Sequence, residues 1–249
     1  MHTFGLVGKS LSHSFSKEYF AKKFLQDNIR DAEYLLFSLD KIEEIIDLLK
    51  QPTLLGFNVT IPYKTAIIPF LDELDIVAKE VGAVNCVVKQ NGKWIGYNTD
   101  VVGFEHSYGQ TVLRSCSLTN NFAIVFGSGG AAKAVCYVLK QRNIPFKIVS
   151  RNKTQETITY SELTELIINH SSIIINTTPL GMFPETDKKP PIPYSALSQK
   201  QILIDLIYNP EETLFLKEGK KRGATTANGL EMFYAQAEAN FNIFFNFRQ

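Results

Sequence analysis

The chain has 249 residues, 45% of them hydrophobic, and its 26 basic and 25 acidic side chains leave a formal net charge of +1. That length accommodates one large domain or two modest ones, with enough apolar side chains for two cores. So balanced a charge provides no basic field for nucleic acid, and the longest apolar runs fall far short of the roughly 20 residues a bilayer span needs.

Met1 leads straight into Thr3–Gly8, an alternating stretch that reads as a strand, without the basic region and apolar run of a signal peptide; the expected location is cytoplasmic. Ser14–Gln26 follows as a helix, with Phe15, Tyr19, Phe20, Phe24 and Leu25 near helical spacing. Glu33–Leu39 is β-rich. Asp40 stands where an N-cap belongs, ahead of an apolar helical stripe of Ile42, Ile45, Ile46 and Leu49. Leu54–Thr60 is a third strand, and Pro62 marks a position where a helix can begin. Ala83–Val88 and Lys93–Tyr97 flank Asn91-Gly92, a strong hairpin signal.

A second block begins near Asn121. The strand Phe122–Phe126 runs into a glycine cluster and the helix Ala131–Gln141, followed by strands at Phe146–Ser150, Ser172–Asn176 and Gln201–Leu206. Such alternation predicts a parallel sheet with crossover helices. Leu180–Pro193 reads as an exposed loop, and Gly229–Phe247 as one long apolar helix that could serve either block. Cys86, Cys116 and Cys136 form no CxxC pair and suit a reducing compartment. Neither they nor His2, His13, His106 and His170 have the spacing of metal ligands, so no metal is expected.

Gly127-Ser128-Gly129-Gly130-Ala131-Ala132 fits G-x-G-x-x-A between a strand and a helix. Gly127 permits the tight turn, Gly129 lets backbone approach a pyrophosphate, and Ala132 lets helix pack closely on strand. The helix N-terminus adds unpaired N–H groups and a positive dipole end. Strand Phe146–Ser150 ends in Ser150-Arg151-Asn152-Lys153, without the carboxylate that would hydrogen-bond the ribose 2′-hydroxyl of NAD. A guanidinium there can grip a 2′-phosphate through two N–H groups, so the expected cofactor is NADP.

Polar residues gather at the ends of apolar strands in the first block, where ligand sites collect in open α/β sheets. They are Ser12 and Ser14 in G-K-S-L-S-H-S, Asn58, Thr60 and Lys64 in N-V-T-I-P-Y-K, Asn85 in G-A-V-N, and Asp100 in N-T-D-V-V-G-F. Hydroxyls, amides, one amine and one carboxylate suit a small polyhydroxylated acid. With G-S-G-G-A-A, N-T-T-P-L-G-M and N-G-L-E-M-F-Y-A-Q-A, these motifs make the chain resemble the shikimate dehydrogenase family over its whole length.

The resemblance implies an α/β fold: an N-terminal α/β substrate domain and a Rossmann-like dinucleotide domain with a cleft between them. Residues 1–101 would form the substrate domain, completed by the C-terminal helix 230–249, and residues 102–229 the NADP domain. It implies NADPH-dependent, reversible reduction of 3-dehydroshikimate to shikimate, with Lys64 and Asp100 as the catalytic pair. Ser12 and Ser14 would hold the substrate carboxylate. Thr60, Asn85 and Asp100 would bind ring hydroxyls, with Tyr208 and Gln236 completing the pocket. Gly127, Ser128, Gly129, Gly130 and Ala131 would take the pyrophosphate, Arg151 and Asn152 the 2′-phosphate, and Leu206, Gly229 and Met232 the nicotinamide side. The partner would be a small molecule, with neither nucleic acid nor membrane, and the protein a monomer or homodimer. The family often carries Asn-Arg-Thr after the second cofactor-domain strand, so Ser150-Arg151-Asn152 keeps the arginine and lacks the hydroxyl. The alternatives are use of quinate or of NAD, and a nucleotide-binding regulatory module that has lost its chemistry.

Overall fold

The computed structural model describes residues 1–11, 14–109 and 122–246. Ser12, His13, Cys116, Asn121 and Phe247, singled out above, lie outside the described residues. Packing divides the chain into two compact units, Met1–Val102 with Gln236–Gln249, and Gly103–Ala235. In chain order come β1 (His2–Gly8), α1 (Ser16–Gln26), β2 (Ala32–Ser38), α2 (Ile45–Leu49), β3 (Leu54–Val59), β4 (Glu73–Leu74), α3 (Ile76–Val81), β5 (Cys86–Gln90) and β6 (Lys93–Tyr97). They are followed by α4 (Asp100–Tyr108), β7 (Phe122–Phe126), α5 (Gly130–Gln141), β8 (Phe146–Ser150), β9 (Thr157–Thr159) and α6 (Glu165–Asn169). The last elements are β10 (Ser171–Asn176), β11 (Ile202–Asp205), α7 (Leu214–Lys221), β12 (Thr225–Ala227) and α8 (Leu230–Asn246).

The first unit is built on a mixed sheet in the order β2-β1-β3-β5-β6-β4. β1 lies parallel to β2 and β3, while β5 is antiparallel to β3 and β6. Side chains alternate across the sheet, so β5 sends Val87 to one core and Cys86 and Val88 to the other. The second core also takes Phe4, Leu6, Phe20 and Phe24, and it is closed by Phe241 and Phe244 from the far half of α8. Phe244 lies with its ring centroid 4.9 Å from that of Phe4. A Cβ at Gly56 would sit 2.9 Å from the Phe244 ring, so glycine there is what lets the helix approach the strand. The hairpin forms as expected, with Gln90 opposite Lys93 and positive φ at both Asn91 (50°) and Gly92 (80°).

Two local expectations are corrected. Asp40 does not cap a helix: Ile42–Glu44 is a 3-10 turn in which the Glu44 carboxylate accepts the Lys41 N–H at 3.1 Å, and α2 buries Ile45 and Leu48 while Ile46 stays exposed. No α-helix starts at Pro62, because residues 61–67 are successive turns leading to the 3-10 turn Ile68–Phe70. The physical reason lies in one carbonyl: Lys64 C=O, which a helix would offer to residue 68, accepts Val84 N–H at 2.7 Å.

The second unit contains an all-parallel sheet in the order β12-β11-β10-β7-β8-β9. Its earliest strand, β7, lies at the centre, and the chain first winds outward through β8 and β9, then returns to β10 on the other side. That reversal is the topological switch point of a doubly wound fold, where ligands bind beyond the carboxyl ends of the strands. β9 and β12 escaped the sequence reading because each is only three residues long, with no apolar run to mark it. Ile124, Phe126, Val149, Ile174, Leu203 and Phe215 form the heart of one of its cores. Among the described residues, no helix is long and apolar enough to cross a membrane.

Candidate active site

In the first unit, Lys64 Nζ donates to Asp100 Oδ2 at 2.6 Å, with the two side chains 16% and 7% exposed. Asp100 Oδ1 accepts Asn85 Nδ2 at 3.0 Å, and the same nitrogen lies 3.5 Å from Gln236 Oε1. Four residues far apart in sequence thus form one cluster. The backbone explains how they meet. Val59 N–H donates to Asn85 C=O at 2.9 Å, Asn85 N–H to Tyr97 C=O at 3.0 Å, and Val84 N–H to Lys64 C=O. Asp100 opens α4, yet it does not cap it: Asn98 Oδ1 accepts Val101 N–H at 3.2 Å and leaves the Asp100 carboxylate to Lys64 and Asn85.

Thr60 follows β3, where its N–H donates to Val7 C=O at 2.9 Å and its side chain is half-buried over Gly8. Ser14 lies beyond the end of β1 and accepts Ser16 N–H on its hydroxyl at 3.2 Å, apart from the lysine cluster's hydrogen bonds. Asn58 is structural: its amide oxygen accepts Tyr34 Oη at 2.7 Å, and its nitrogen donates to Asn85 C=O at 3.3 Å.

In the second unit, β7 ends at Gly127, whose φ of +104° suits glycine and whose added Cβ would lie 2.7 Å from Thr177 Oγ1. Ser128 and Gly129 are exposed, and a Cβ at Gly129 would meet nothing within 4 Å. Among the described residues no side chain caps α5; its ladder begins with Lys133 N–H donating to Gly129 C=O at 3.0 Å, which leaves the N–H groups of Gly130, Ala131 and Ala132 for a ligand. This is a cradle that fits a pyrophosphate. Arg151 is exposed at the end of β8 and makes no hydrogen bond or ion pair among the described residues. Its neighbour Asn152 is turned by an N–H donated to Ser150 Oγ at 3.3 Å, while Lys153 is paired with Glu162. Lys153 and a Thr159 N–H hold the Glu162 carboxyl down to about 2.

Leu206 and Gly229 are pressed together. A Cβ on Gly229 would collide with the Leu206 carbonyl, and the Gly229 N–H donates to Ile207 C=O at 3.1 Å. Met232 is buried one turn into α8, and Tyr208 packs on Phe233 at 4.9 Å between ring centroids.

Residues 6–87 match the family described as shikimate dehydrogenase substrate binding domain. Shikimate dehydrogenase (NADP(+)) of Methanococcus maripaludis strain C6 is 39% identical over 256 residues, covering 96% of this chain and 90% of its own. The Shouchella clausii protein of the same name is 40% identical, covering 94% of this chain and 89% of its own. The chain belongs to the shikimate dehydrogenase family. Shikimate Dehydrogenase 1 from Peptoclostridium difficile, a crystal structure, superposes with a TM-score of 0.86 at 35% identity, covering 99% of this chain and 92% of that one.

Within this shikimate dehydrogenase fold the sequence reading missed a buried network beside the glycine turn. Asp205, at the end of β11, accepts Thr213 Oγ1 at 2.6 Å, Ile207 N–H at 3.1 Å and Asn176 Nδ2 at 3.1 Å. Asn176 Oδ1 in turn accepts the N–H and hydroxyl of Thr178 at 3.1 and 2.6 Å. The only available signal was a carboxylate and an amide ending two apolar strands, Ile202–Asp205 and Ser171–Asn176. Burial pushes the Asp205 carboxyl up from 3.8 to about 6, against the pull of its three donors. Between those values the folded protein keeps a proton that the unfolded chain has released, so stability falls as pH rises through the window. In Asp205→Asn this part of the slope, on the order of 2–3 kcal/mol, is expected to vanish. Urea unfolding at pH 4 and pH 6.5 measures it; the same slope in wild type and variant would refute the assignment.

Proposed function

We propose that this protein interconverts shikimate and 3-dehydroshikimate with NADP as the hydride carrier. The observation that carries the proposal is the Lys64–Asp100 pair at 2.6 Å, held beside Asn85 and Gln236. The substrate domain is residues 1–101 completed by residues 230–249, of which packing groups 236–249 with the first unit and 230–235 with the second, and the NADP domain is residues 102–229. When bound, NADPH supplies the hydride for the ketone carbon.

This chain's residues then have distinct tasks. As the ketone becomes an alcohol its oxygen gains negative charge, which the Lys64 ammonium offsets before handing over a proton. Asp100 orients the ammonium and accepts a ring hydroxyl, and Asn85 holds the second oxygen of that carboxylate. Ser12 and Ser14 bind the substrate carboxylate, Thr60, Tyr208 and Gln236 the remaining oxygens. The exposed Gly129 turn and the uncapped start of α5 support Gly127, Ser128, Gly129, Gly130 and Ala131 as pyrophosphate ligands. Arg151 and Asn152 take the 2′-phosphate, and Leu206, Gly229 and Met232 line the nicotinamide. The buried free thiols of Cys86 and Cys136 support a cytoplasmic setting.

A panel of shikimate and quinate with NADP⁺ and NAD⁺, followed by absorbance of the reduced nicotinamide, tests the function. Shikimate with NADP⁺ is expected to give the highest kcat/KM. A higher value with quinate, or no reaction with either acid, would contradict the proposal.

A further inference from the structure

We infer that Asn240 is a positioning residue that locks the amide of Gln236 with its oxygen turned inward, so that Gln236 meets its ligand as a hydrogen-bond donor. This rests on the proposed role of Gln236 in binding substrate and assigns the residue that gives that role its polarity. Asn240 is 1% exposed, one helical turn beyond Gln236 on α8.

The direction of each bond follows from groups whose character is fixed covalently. Thr99 backbone N–H can only donate, and it donates to Asn85 Oδ1 at 2.7 Å. At the other end, the Asp100 carboxylate, which accepts Lys64, also accepts Asn85 Nδ2 at 3.0 Å. Both partners dictate one orientation of the Asn85 amide. Its nitrogen then donates to Thr99 Oγ1 at 2.8 Å, which leaves the Thr99 hydroxyl one hydrogen to place. That hydrogen goes to Asn240 Oδ1 at 2.6 Å rather than to Asn85 Oδ1, which is farther at 3.2 Å and already occupied by the Thr99 N–H.

With its oxygen committed to Thr99, Asn240 presents Nδ2 to Gln236, and Gln236 Oε1 accepts it at 2.8 Å. Asn85 Nδ2 also lies 3.5 Å from that oxygen; its two hydrogens are committed to Asp100 and Thr99, and an amide nitrogen accepts no hydrogen bond, so it too offers nothing to an inverted Gln236 amide. Turning the Gln236 amide over would set NH₂ against NH₂ inside the protein, which burial forbids. The polarity therefore runs unbroken from the catalytic carboxylate to the Gln236 amide, and Gln236 Nε2 faces the other way. A ligand atom in front of it must accept: a hydroxyl, carbonyl or carboxylate oxygen satisfies it, and an ammonium does not. The site is thus built for an oxygen-bearing ring at this position.

The test is a double-mutant cycle on the whole enzyme, with kcat and KM for shikimate at saturating NADP⁺. Asn240→Leu is expected to raise KM about tenfold, the worth of one good hydrogen bond, with kcat little changed. Gln236→Leu should raise KM as much or more, and adding Asn240→Leu to it should have no further effect, since Asn240 acts only through Gln236. Multiplying effects in the double variant, or a wild-type KM in Asn240→Leu, would overturn the inference. Should Asn240→Leu fold poorly, the near-isosteric Asn240→Asp offers Gln236 only acceptors and turns its amide over. A raised KM there supports the inference, and an unchanged one overturns it. Absence of shikimate oxidation by the wild type would instead overturn the proposed function on which the inference stands.

Discussion

Lys64→Ala is expected to lower kcat about 10³-fold while KM for shikimate moves by no more than about threefold. The amine is 16% exposed and paired at 2.6 Å with Asp100, so alanine removes two things together. The oxygen of the reacting carbon loses the cation that offsets its developing charge, and it loses its proton donor. The Asp100 carboxylate, 7% exposed, is left with Asn85 Nδ2 and without its counter-charge, which adds repulsion just where negative charge grows. Ground-state binding depends instead on the hydroxyl and amide groups around the ring, which explains the small change in KM. Steady-state kinetics decide the matter, and a kcat within tenfold of wild type would remove Lys64 from the chemistry.

Arg151→Ala is expected to weaken NADPH binding about 30- to 100-fold, the worth of a charge-assisted pair of hydrogen bonds, and to leave NADH within about twofold. Arg151 is exposed and without a hydrogen-bond or ion-pair partner among the described residues, whereas Lys153 is held by Glu162. Gly127 N–H donates to Val149 C=O at 2.9 Å, tying the glycine turn before α5 to the strand that delivers the arginine. Fluorescence titration with each cofactor measures the two losses. Equal losses for NADPH and NADH would show that Arg151 does not read the 2′-phosphate.

Much of this was legible in the chain, and the reasons are local. Asn91-Gly92 specifies its turn because both residues tolerate positive φ, and the apolar strand before Gly127 identifies a βα junction by pattern alone. Element ends and short elements were less legible. Pro62 looked like a helix start because a sequence cannot reveal that the Lys64 carbonyl is claimed by Val84. β9 and β12 exist because neighbouring strands supply their partners, not because three residues around a threonine prefer a strand. At the site, residue types and strand ends pointed to Lys64, Asn85 and Asp100, but bond directions did not. Asn240 is one of several polar residues on α8, with Gln236, Glu238 and Asn242 close by, and nothing in the sequence sets it apart until Thr99 and Gln236 are found on either side of it.

The most direct test of hydride exchange between shikimate and NADP uses shikimate carrying deuterium at C3, the carbon whose hydroxyl is oxidised. The wild-type protein is incubated with this compound and NADP⁺, and the reduced cofactor is weighed by mass spectrometry. The expected product is NADPH one mass unit heavy, formed one for one with 3-dehydroshikimate. Reduced cofactor without the label, or no reduced cofactor, would contradict the account.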